Sequence, residues 1–165
     1  MILLRYLRFL DTAMRAWLVA LACVATVATA APVAAQVTAF KQAVAEAAAA
    51  DRDIAAFYRE RGFAPIWTGS NPAHTARRKA LIAALGRAPL HGLPRGGVYD
   101  TARLLDAMRD VRTVRDMGRV EVALSKALLS YARDVQSGVL VPSSIDSGIV
   151  RKVPYRDRLS YLVDF

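Results

Sequence analysis

Cysteine is nearly absent. Cys23 is the single one in 165 residues, so the chain can form no internal disulfide and no thiolate metal set. Histidine is almost as scarce. His74 and His91 stand alone and far apart, not at the spacing that brings two imidazoles to one metal on a helix. Neither Gly-x-Ser-x-Gly nor a glycine-rich loop followed by Lys-Ser/Thr occurs, although Gly92, Gly96 and Gly97 cluster. Ser125 and Lys126 are adjacent, which on a helix sets them about 100° apart, unsuited to a serine–lysine pair. Alternating strand patterns are missing too. These absences leave a helical chain with no catalytic residue and no metal ligand set, and they imply no cofactor.

Basic side chains are in excess, 23 against 14 acidic for a net +9, but only Lys41, Lys79, Lys126 and Lys152 among them are lysine. Positive charge favours anionic partners. The N-terminus argues against nucleic acid as that partner. Arg5, Arg8 and Arg15 precede an uncharged, Ala-rich run over residues 16–35 that ends in the small residues Val33-Ala34-Ala35, the pattern of a Sec-type signal peptide cut before Gln36. Ala28-Thr29-Ala30 is an earlier cut, and an uncleaved membrane anchor is the competing reading, since about 20 apolar residues can span a bilayer. Cys23 lies inside this segment without the Leu three residues before it that lipidation needs, and a chain cut before Gln36 carries no thiol nucleophile. Removing Arg5, Arg8, Arg15 and Asp11 from the 23 basic and 14 acidic side chains leaves 20 and 13 over residues 36–165, long enough for one core.

The remainder reads as helices. Phe40, Val44, Ala47, Ile54, Phe57 and Tyr58 share a broad face over 37–61, with Gly62 as the stop. Pro65 keeps Phe63–Trp67 out of a helix, and Thr68–Pro72 is a loop. A second helix is expected over about 75–85, with Leu81, Ala84, Leu85 and Ala88 inward and Arg77, Arg78 and Lys79 in solvent. Pro89–Gly97 is a connector. Asp100 caps a third helix that buries Leu104, Leu105 and Met108. The strongest pattern covers about 115–137: Met117, Val120, Leu124, Ala127, Leu128, Tyr131 and Val135 recur every three or four residues, with Arg119, Glu121, Lys126, Arg133 and Asp134 on the opposite side. Gly138 and Pro142 end it. A further amphipathic pattern starts near Tyr155 and reaches Phe165 with no stop signal. The fold class is all-α, a bundle-like domain of four to five helices.

Tyr58, Trp67, Tyr99 and Tyr131 pair an apolar body with a polar tip. They could stack on sugar rings, but their place in apolar runs favours packing at helix junctions. The scattered acids read as solvated surface, and His91 as a turn residue that packs or caps.

Phe57-Tyr58-x-x-Arg61-Gly62-x-x-Pro65-x-Trp67 resembles the opening motif of the helical scaffold domain that precedes the catalytic part of large periplasmic murein L,D-transpeptidases of Gram-negative bacteria. His91-Gly92-Leu93 followed by Tyr99 is similar to that family's His-Gly-Leu-Asp-Pro-x-x-Tyr turn, with Arg95-Gly96-Gly97 in place of its Asp-Pro stretch. Leu124 through Tyr131-Ala132-Arg133-Asp134 resembles its long helix, and Gly138 with Pro142 its Gly-x-x-x-Pro exit. The resemblance covers residues 55–145. It implies a part of a peptidoglycan cross-linking enzyme in which Phe57, Tyr58, Pro65, Trp67, Tyr99, Tyr131 and Arg133 fix helix junctions. The family's catalytic Ser/Thr-x-Gly-Cys-x-Arg/His motif does not occur in this chain.

The expected organisation is a signal peptide over 1–35, a scaffold domain over 36–150, and a further helix beginning over 151–165 that reads as cut short. The expected location is the periplasm. The implied partners are a transpeptidase domain and a peptidoglycan-binding domain beyond this chain, with peptidoglycan itself as a candidate, and the membrane only if residues 1–35 stay attached. Stand-alone peptidoglycan binding or a helical partner protein is the alternative.

Overall fold

A computed structural model describes residues 30–94, 97–140, 145–146, 148 and 156–164. Most of the expected signal peptide, Cys23 and Pro142 lie outside them. Residues 1–38 and 39–165 form two separate compact units. Among the described residues there are six α-helices and no strand: α1 (Ala30–Ala48), α2 (Arg52–Glu60), α3 (Pro72–Gly86), α4 (Thr101–Arg109), α5 (Val114–Ser137) and the short α6 (Ser160–Val163). The all-α expectation holds. No described helix is long and apolar enough to cross a membrane.

The single helix expected over 37–61 is two. Asp51 adopts an extended backbone and its side chain accepts the Ile54 N–H, so it starts a new helix rather than continuing the old one. Helix α2 then ends in a Schellman turn. Gly62 N–H reaches the Arg59 carbonyl at 3.0 Å and Phe63 N–H reaches the Tyr58 carbonyl at 2.7 Å. Both Gly62 (φ 60°) and Phe63 (φ 61°) are left-handed there, which glycine accommodates and phenylalanine does not favour.

Helix α5 is the centre of the 39–165 unit. It opens with a capping box, Thr113 Oγ1 accepting the Asp116 N–H and the Asp116 carboxylate accepting the Thr113 N–H. The expected stripe is present in Val120, Leu124, Ala127 and Leu128, all buried, while Met117 and Tyr131 are half-buried and Val135 is exposed. A second stripe, Gly118, Glu121, Val122, Ser125 and Leu129, is buried as well. The helix is therefore packed on two sides. At Gly118 it meets α1 backbone to backbone: an added Cβ would lie 2.8 Å from the Ala43 Cβ and 3.0 Å from the Phe40 carbonyl oxygen. Lys126, expected in solvent, is half-buried and donates to the Ala47 carbonyl in the last turn of α1 at 2.9 Å.

Candidate functional site

Two residues of α5 gather the segment that follows α2. The Glu121 carboxylate, expected among solvated charges, is fully buried. Its Oε1 accepts from Ile66 N–H at 2.6 Å, Tyr58 Oη at 2.9 Å and Trp67 N–H at 3.1 Å. Its Oε2 accepts from Thr68 Oγ1 at 2.7 Å and Thr68 N–H at 2.8 Å. Three successive main-chain N–H groups and two hydroxyls thus converge on one carboxylate. One turn later on the same face, Ser125 Oγ accepts from Trp67 Nε1 at 2.8 Å and lies 2.8 Å from Tyr58 Oη. One proton arrangement satisfies every partner: Trp67 Nε1–H donates to Ser125, Ser125 to Tyr58, and Tyr58 to Glu121. Burial, with the Glu121 carboxylate beside it, pushes the Tyr58 phenol well above its ordinary range.

The opposite side of the segment is held from α3. Arg77 and Arg78, expected in solvent, are half-buried. Arg77 Nη1 donates to the Ile66 carbonyl at 3.4 Å, and Arg78 donates to the Trp67 carbonyl and, at 3.0 Å, to Thr75 Oγ1. A non-helical stretch would otherwise bury unpaired amides around Trp67, and this two-sided grip satisfies them from both faces. Gly69 completes the fit, because a Cβ there would fall 2.2 Å from Nδ1 of His74.

A second junction lies along α5 toward its C-terminal half. A 3-10 turn (Ala88–His91) ends at Gly92 (φ 71°), whose left-handed backbone sends buried Leu93 into the core. The Tyr131 ring stands edge-on to His91 at 6.3 Å and to Tyr99 at 6.2 Å. Burial and then the neighbouring, hydrogen-bonded Asp134 raise the Tyr99 phenol.

The motif residues therefore divide between these two junctions. Tyr58 and Trp67 lie at the centre of the first, with Phe57 packed edge-on to Tyr58 and the exposed Arg61 guanidinium over the Phe57 ring at 5.3 Å. Gly62 and half-buried Pro65 shape its approach. His91, Gly92, Leu93, Tyr99 and Tyr131 form the second. Arg133 is exposed and joins neither, and Gly138 (φ 78°) ends α5. Tyr58, Trp67 and Tyr99 are buried, so their rings are not available to stack on a sugar.

Glu121, Ser125, Arg77 and Arg78 are the residues that sequence reasoning placed wrongly or passed over. The available signal was the i, i+3, i+4, i+7 register of Gly118, Glu121, Val122 and Ser125, a face of small and apolar residues with one carboxylate in it. No cluster of three or more His, Cys, Asp or Glu side chains suited to a metal occurs among the described residues.

A family model described as "Scaffold domain" matches residues 52–165, which takes in α2 to α6 and both junctions. No curated protein and no solved structure matches the chain.

Proposed function

The chain belongs to the scaffold-domain family, and from that premise we propose that it is the non-catalytic scaffold portion of an exported murein L,D-transpeptidase, serving peptidoglycan cross-linking and cell-wall remodelling in the periplasm. The observation that carries this reading is the grip on residues 66–68. Glu121, Ser125, Arg77 and Arg78 hold the loop by hydrogen bonds from two sides, and the residues of the transpeptidase-like opening motif, Tyr58 and Trp67, supply its side-chain anchors. A domain whose signature residues are spent on rigidity is suited to holding other domains in register. In this reading Sec export delivers it, and the acyl-transfer chemistry belongs to a cysteine thiolate on a catalytic domain, not to this chain.

The test is to read the open frame past the Phe165 codon in the source genome, then delete the locus and analyse muropeptides. A Ser/Thr-x-Gly-Cys-x-Arg/His motif in the same product, with loss of 3–3 cross-links on deletion, is expected. A stop codon there, together with unchanged cross-links, would overturn the proposal. In that case sedimentation of the purified chain with sacculi would test the alternative of stand-alone peptidoglycan binding.

A further inference from the structure

The last described segment, 156–164, meets the rest of the domain with no main-chain to main-chain hydrogen bond among the described residues. Its main-chain to main-chain hydrogen bonds among the described residues are internal: Leu162 and Val163 N–H reach the Leu159 carbonyl, and Asp164 N–H reaches that of Ser160. It is also folded on itself by side chains, with Arg156 paired to Asp164 and lying over the Tyr161 ring at 5.0 Å. Each tie to the body among the described residues runs through at least one side chain. Leu162 is buried in the core, with Leu159 and Tyr161 packed partly against it. Tyr161 Oη donates to Gln136 Oε1 at 2.7 Å, and the Arg156 N–H reaches the same oxygen at 3.4 Å.

The remaining tie is ionic. The Arg158 guanidinium spans two carboxylates at the start of α2, reaching Asp51 at 2.5 and 2.8 Å and Asp53 at 2.8 Å. Asp51 is at the same time the N-cap of α2, accepting the Ile54 N–H. One carboxylate therefore both starts a helix and anchors a segment more than a hundred residues away. Arg158 is two-fifths exposed and Asp53 somewhat more so, which leaves this tie open to screening by salt. The grip on residues 66–68, in contrast, is buried around Glu121 and out of reach of ions.

We infer that residues 156–164 form a strap that opens and closes as a unit while α5 and the 66–68 loop stay folded, with Arg158 as its latch, and that release uncovers the apolar seat of Leu162. The domain then has two tiers. A permanently closed core surrounds α5, and a salt-sensitive strap covers part of it.

Hydrogen–deuterium exchange of the full chain, read by mass spectrometry, tests this at low salt and at about 1 M salt, where the screening length falls to about 3 Å. In high salt, and in Arg158→Gln at low salt, amides of 156–164 should exchange about fivefold faster, with those of α5 unchanged. Asp53→Asn removes one arm of the latch and leaves the α2 cap intact, so it should give a smaller acceleration confined to the strap. Exchange of the strap in step with α5 under every condition would overturn the inference. So would a strap indifferent both to salt and to Asp53→Asn. Should Arg158→Gln not fold, the wild-type salt series and Asp53→Asn decide the matter.

Discussion

At the scale of the residue, Glu121 shows how one side chain can specify a loop. It lies on α5 and collects donors from residues 58 and 66–68, more than fifty positions earlier in the chain. Every group around the carboxylate is a donor, so replacing an oxygen by an NH2 group sets donor against donor in a buried site. Glu121→Gln should cost about 3 kcal/mol in urea unfolding, the range for breaking a buried charged network on one side. A loss under about 1 kcal/mol would mean that the 66–68 amides find other partners. Tyr58 allows a test by pH. Its folded-state pKa is raised, so its contribution to stability is complete below the unfolded value of about 10 and is lost as pH rises above it. Alkaline titration should therefore show Tyr58 ionising only together with unfolding, and Tyr58→Phe should weaken the stability loss above about pH 10. A tyrosinate signal from Tyr58 in the folded protein at that pH would contradict its burial. Of this grip only Tyr58 and Trp67, as motif residues, and the register of Gly118, Glu121, Val122 and Ser125 were legible in the linear pattern, because the partners themselves meet only through the fold. The glycine stop at Gly62 was legible, because a helix terminus is a local event.

At the scale of the element, Gly118 sets the distance between α1 and α5. Glycine inside a helix normally costs about 1 kcal/mol relative to alanine, so helix propensity alone makes Gly118→Ala stabilising. The crossing reverses that sign. The new Cβ would sit 2.8 Å from the Ala43 Cβ and 3.2 Å from the Val44 nitrogen, and backbone cannot swing aside as a long side chain can. A net loss of about 1–3 kcal/mol is expected, with Gly86→Ala as the control. Gly86 lies at the end of α3 with nothing within 4 Å of its Cβ position, so the same change there should be neutral or gain up to about 1 kcal/mol. If both variants behave alike in thermal melts, the close approach at Gly118 carries no energy. The stripe of α5 was readable from its period, and so were the caps at Asp100 and Gly138, because each depends on neighbours three or four residues away. The break at Asp51 was hidden by the Ala-rich run before it, where high helix propensity masked a good N-cap. Lys126, Arg77 and Arg78 were misplaced for one shared reason. Charge reads as solvent-facing, yet a long cationic side chain can lie along the surface and end on a main-chain carbonyl.

At the scale of the whole molecule, the basic surplus and the Arg158 latch respond to salt in opposite senses, and pH decides which is seen. Asp51 feels two opposed influences. Partial burial pushes its carboxyl up, but Arg158 and the α2 amides outweigh that and hold it below the ordinary carboxylate range. A depressed pKa gives stability that is present above the unfolded value of about 4 and is lost as pH falls through the folded value. Above about pH 5, then, the latch is charged on both sides and salt should loosen the strap by screening it. In strong acid carboxylates as a class are protonated and the basic side chains remain, 20 of the 23 lying in residues 36–165. The dominant long-range term is then repulsion among them, which salt also screens. Added salt should therefore speed exchange of residues 156–164 near neutrality and slow exchange across the whole 39–165 unit in strong acid. Asp51→Asn, which keeps a side-chain cap for α2 and removes one of the two anchoring charges while Asp53 still faces Arg158, should weaken the first response and leave the second. A salt effect of one sign at both pH values would show that net charge, and not the latch, governs how residues 156–164 open.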